Sequence, residues 1–76
     1  MGTLTPQMVG LRIRDYLEDH GIKATFLIDG LGIHPTSMSM ILNGKRSISV
    51  IEYFKICRIL DVGYDEFLPE FRKGDE

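Results

Sequence analysis

The sequence lacks most of what announces an enzyme, a secreted domain or a membrane protein. Its 76 residues include one cysteine and no tryptophan. A lone cysteine excludes a disulfide framework and a thiolate zinc site. Cys57 lies in "YFKICRIL" among apolar neighbours at helical spacing, which suits a small buried core residue better than a reactive thiol. His20 and His34 are far apart, and neither has a cysteine or carboxylate at ligand spacing, so no metal site is expected. No apolar run approaches the roughly 18 residues of a membrane span. The opening "MGTLTPQM" has neither the cationic start nor the apolar stretch of a signal peptide. Pro6 also occupies the small hydroxyl position of a myristoylation signal. No nucleophile stands beside a base, no acid pair suggests a cleft, and "NGKR" is too short for a phosphate loop and follows a helix, not a strand. The expectation is a soluble, cytoplasmic, non-enzymatic protein with no catalytic residues, cofactor, metal, small-molecule ligand or membrane partner.

Charge is scarce in total and uneven in place. The formal net charge is −2, which argues mildly against a nucleic-acid partner. Residues 1–32 carry −1, residues 33–60 carry +3 and residues 61–76 carry −4. The middle third holds Lys45, Arg46, Lys55 and Arg58 against Glu52 alone. Binding responds to the local field, so the basic middle weighs more than the total.

What is present is helical periodicity. Apolar residues recur at three and four positions instead of alternating. Five helices are predicted. The first opens at "TPQM" with Thr5 as cap and Pro6 at the first helical position, turns Val9, Ile13, Tyr16 and Leu17 inward, and stops at Gly21. The second covers residues 23–31 with Phe26, Leu27 and Leu31 inward; Gly30 within it costs about 1 kcal/mol relative to alanine. A turn at Gly32 leads to a third helix from Pro35 to Leu42, with Met38, Ile41 and Leu42 inward and Asn43-Gly44 ending it. In the fourth, Ser49 and Glu52 have capping-box spacing, and Val50, Tyr53, Phe54, Cys57 and Leu60 follow. A short fifth, "YDEFL", follows Gly63 and is closed by Pro69. This is an all-α, compact five-helix bundle, with residues 1–70 as a single domain and 71–76 as a short charged tail.

A two-turn helix, a glycine turn and a second short helix have the spacing of a helix-turn-helix. From Arg12 to Leu68 the chain resembles the Cro/C1-type (XRE-like) DNA-binding domains of phage and bacterial repressors. The likeness rests on Ile13-Arg14, Gly21-Ile22, "LGI" at 31–33, "NGKR" at 43–46 and "RILDVGYDEF" at 58–67, with Asp61 where glycine is common. The resemblance implies a lambda-repressor-like bundle whose helices 2 and 3 form the helix-turn-helix, with helix 3 in the major groove of double-stranded DNA. By position, Pro35, Thr36, Ser39 and Met40 would face bases. Lys23, Ser37, Asn43, Lys45 and Arg46 would meet the backbone, where cations beside loop amides suit phosphate oxygens.

The sequence also departs from the family. Lys23 and Ala24 stand where a hydroxyl residue and then Gln are usual, Ile28 replaces a small residue, and His34 replaces a Ser or Thr cap. Many members pair an Arg late in helix 1 with a Glu late in helix 3; the matching positions are Leu17 and Leu42. Replacing both ions with apolar groups avoids several kcal/mol of desolvation per ion and predicts that the two leucines meet. Helix 3 has no Arg, Gln or Asn, the strongest bidentate base readers, so modest discrimination or a contribution from DNA shape is expected.

Tyr64, Phe67, Leu68 and Phe71 form an apolar cluster, read either as core closure, which suits Phe67, or as the interface of a homodimer. The leading expectation is a sequence-specific DNA-binding transcriptional regulator, a repressor of phage or prophage type, controlled by concentration, competition or a regulatory protein partner. The alternative is a protein-interaction module on the same scaffold, an adaptor or antirepressor-like protein with weak or no DNA binding. Low net charge and Ala24 favour the alternative; Lys45, Arg46 and the basic middle third disfavour it.

Overall fold

Most helix ends are set by local signals. The computed structural model describes residues 5–68, and among these α1 (Pro6–His20), α2 (Ala24–Leu31), α3 (Pro35–Leu42) and α4 (Val50–Leu60) are the helices. Thr5 Oγ1 accepts the Met8 N–H at 3.3 Å to open α1, and Gly21 closes it in the left-handed region at φ 64°. At α4 the capping box is complete: Ser49 Oγ accepts the Glu52 N–H at 3.1 Å, and Glu52 Oε1 accepts the Ser49 N–H at 3.0 Å. Asp61 ends α4 at φ 58°, the one positive-φ residue other than glycine among those described.

One buried cluster joins the elements: Val9, Ile13 and Leu17 of α1, Leu27 of α2, Met38 and Leu42 of α3, Tyr53, Ile56 and Cys57 of α4, and Phe67 beyond it. Leu17 and Leu42 both lie in this cluster, where an ion pair would have been stripped of water. Two glycines set how closely the helices approach. A Cβ at Gly10 would overlap the carbonyl oxygen of Ile41, so the last turn of α3 rests directly on α1. A Cβ at Gly30 would sit 2.5 Å from Ile59 Cδ1, on the seam between α2 and α4.

Three expectations are corrected. The fifth helix is instead a pair of turns, closed by Glu66 N–H to Gly63 O and Leu68 N–H to Asp65 O, both at 3.1 Å. The segment is pinned at several points: Arg12 Nη1 donates to the Phe67 carbonyl at 3.0 Å, and the Tyr53 hydroxyl donates to the Tyr64 carbonyl. On α2, Phe26 points outward at 53% exposure, and Leu27 is the one side chain the helix buries fully. On α4, Val50 and Phe54 are exposed, and Ile56 joins Tyr53 and Cys57 inside. No helix of the described residues is long and apolar enough to cross a membrane.

Candidate nucleic-acid interface

The turn between α2 and α3 is built by Gly32 at φ 67°, with the Gly32 and Ile33 N–H groups both donating to the Ile28 carbonyl. His34 then does the work of the usual Ser or Thr: its Nδ1 accepts the Thr36 N–H at 3.1 Å, and Pro35 follows at the first helical position. Met38, Ile41 and Leu42 anchor α3 in the core. The opposite stripe, Pro35, Thr36, Ser39 and Met40, is exposed along its length, and Ser37 beside it is half-buried. The expected base-facing residues therefore share one open face, and none carries a charge. Neither α2 nor α3 has an acid in its first turn, so the positive ends of both helix dipoles are left uncompensated.

The expected backbone-facing residues are less alike. Lys23 is exposed at the start of α2 and makes no side-chain cap. Lys45 is exposed and has no side-chain partner among the described residues, while its N–H closes α3 onto the Met40 carbonyl at 2.9 Å. Arg46 is already engaged: Nη1 and Nη2 donate to the two Glu52 carboxylate oxygens at 3.3 and 3.2 Å. Burial works to raise the Glu52 pKa, but the Arg46 guanidinium and the Ser49 N–H outweigh it and hold the carboxyl below its ordinary 4.5. Asn43 turns its amide inward on the helix, with Nδ2 donating to the Ser39 carbonyl at 2.8 Å and to Ser39 Oγ at 3.3 Å. Its Oδ1 accepts from Arg14 Nη1 at 3.4 Å. Sequence reasoning gave Arg14 no role at the site, because a contact 29 residues along the chain leaves no local trace.

Of the expected dimer residues, Tyr64 is exposed and Leu68 half-buried, whereas Phe71 lies outside the described residues. Phe67 is corrected: at 3% exposure it closes the core, edge-on to Tyr16 and Tyr53, and has no face to offer a second chain. Burial pushes the Cys57 thiol pKa up, as expected for an inert core residue. Among the described residues no group of three or more His, Cys, Asp or Glu could hold a metal ion.

A family model described as helix-turn-helix matches residues 13–67. No curated protein and no solved structure matches the chain.

Proposed function

From a chain that belongs to the Cro/C1-type helix-turn-helix family, a family of DNA-binding transcription regulators, we propose a sequence-specific repressor that lays α3 in the major groove of double-stranded DNA. Pro35, Thr36, Ser39 and Met40 face the base edges, with Thr36 and Met40 also packing on thymine methyls. Lys23, Ser37 and Lys45 meet the phosphates; Arg46, paired with Glu52, and Asn43, bonded to Ser39 and Arg14, make no backbone contact of their own. The observation that carries this reading is the exposed, uncharged stripe of α3 bounded by Lys45, which has no side-chain partner among the described residues, and by two helix N-termini without acids. The protein acts as a homodimer in the bacterial cytoplasm.

The reading is tested by selecting bound sites from a random duplex library at low salt, with Lys45→Ala as control. Enrichment of a two-fold symmetric site that the control loses supports a dimeric regulator. Equal, weak retention of both proteins moves the function to the second reading, a protein-interaction module. That alternative is favoured by one observation, the exposed apolar residues Val50, Ile51, Phe54 and Tyr64, which lie on α4 and the closing turns and not on α3.

A further inference from the structure

We propose that Arg14 of α1 is a phosphate-binding residue of the protein–DNA complex, held over the end of α3 by Asn43, and that it takes the place Arg46 was expected to fill. The inference rests on the DNA-binding reading above. Arg46 and Glu52 form a bidentate pair, and Glu52 is fixed by its second task as the capping carboxylate of α4. Drawing Arg46 onto a phosphate would break two hydrogen bonds and leave an unpaired carboxylate beside the DNA backbone. The pair brings no net charge to the interface.

Arg14 is placed the other way. Its guanidinium has no carboxylate partner among the described residues, and its single hydrogen bond there, 3.4 Å long, is to the neutral Asn43 amide. Its Nε–H is buried and has no partner among the described residues, so the group has more donors than the acceptors those residues offer it. Because Asn43 spends its own N–H groups on Ser39, it offers the backbone no donor; it offers instead a fixed acceptor that orients Arg14. A full charge on a partly ordered planar fork is the arrangement that recognises phosphate at low entropic cost. Ser39, Asn43 and Arg14 thus link a base-facing position to a backbone-facing cation.

The test is fluorescence-anisotropy titration of a selected duplex and a scrambled duplex across roughly 50–200 mM salt. Arg14→Gln is expected to lower the slope of log K against log salt by about 0.9 and to weaken both duplexes by the same factor, roughly tenfold. The double variant Arg46→Gln/Glu52→Gln is expected to leave the slope unchanged. An unchanged slope in Arg14→Gln, or a loss confined to the selected duplex, overturns the proposal; so does a slope that falls only in the Arg46/Glu52 variant. If Arg14→Gln does not fold, Arg14→Lys carries the test. It keeps the slope but loses the fork, and should bind both duplexes a few-fold more weakly; wild-type affinity would overturn the proposal. Failure of the wild-type protein to bind any duplex overturns the underlying reading, whereas wild-type binding with an Arg14-independent slope overturns this inference alone.

Discussion

His34 is an uncommon helix cap, and its chemistry differs from that of the hydroxyl it replaces. An imidazole accepts through Nδ1 only while that nitrogen is unprotonated, and the 3.1 Å bond to the Thr36 N–H uses that lone pair. His34→Ala should lower stability by about 1 kcal/mol in urea unfolding, and His34→Ser should recover most of the loss. A neutral outcome for alanine would mean that Pro35 alone starts α3. Glu52 sets a second expectation. Folding lowers its pKa below 4.5, so its ionised form is tied to the native state. Its contribution is fully present above the ordinary carboxylate range and disappears as pH falls through the native value. Glu52→Gln keeps the capping geometry but removes the charge. The variant should therefore lose less stability than the wild type between about pH 6 and pH 3, while costing under about 1 kcal/mol near neutrality.

Among the elements, α3 is positioned from behind, by α1. Gly10 lets the Ile41 carbonyl lie against the α1 backbone, and no side chain there could move aside for a methyl group. Gly10→Ala should cost about 1–3 kcal/mol, offset only in part by alanine's better helix propensity, and should weaken DNA binding by displacing the end of α3. Gly30→Ala makes the contrast. Its Cβ meets the flexible tip of Ile59, which can turn away, so the substitution should be neutral or mildly stabilising in thermal melts. Similar losses from both would show that helix spacing does not distinguish them. The same division explains what the sequence could reveal. Thr5, Pro6, Gly21, Gly32, Pro35 and the Ser49–Glu52 box act within a turn of the chain, so helix ends were legible. The exposed stripe of α3 was legible too, because it depends on one helix and its period. Exposure of Phe26 beside buried Leu27, and burial of Ile56 instead of Phe54, depends on where neighbouring helices lie. The turns at residues 63–68 replaced an apparent helix because Arg12 and Tyr53 hold their carbonyls from other elements. Arg14–Asn43 and Arg46–Glu52 likewise became visible only in three dimensions.

For the whole molecule, the eight-residue α3 poses a problem of reach. A helix of two turns with no bidentate base reader distinguishes few base pairs, and two copies on a symmetric site double both contact and discrimination. The surface suited to joining them lies away from the stripe. Val50, Ile51 and Phe54 at the start of α4 are exposed beside Tyr64, whose ring lies 4.8 Å from that of Phe54. Phe54 and Tyr64 also line an apolar groove of about 460 Å³ with Pro6, Val50, Tyr53 and Leu68. A contiguous apolar patch of this kind on a small domain marks an interaction surface. Because both rings are exposed, Phe54→Glu/Tyr64→Glu should keep the fold, and the Tyr53 bond to the Tyr64 backbone is untouched by the change. The variant should sediment as a monomer and bind a two-fold site without cooperativity, while its affinity for an isolated half-site stays near that of the wild type. A wild-type protein that is monomeric both in solution and on DNA would break the dimer reading, because this patch would then have no second copy to cover it. Half-site binding that falls with the double substitution would instead place α4 within the DNA contact itself, and the assignment of bases to α3 alone would have to be revised.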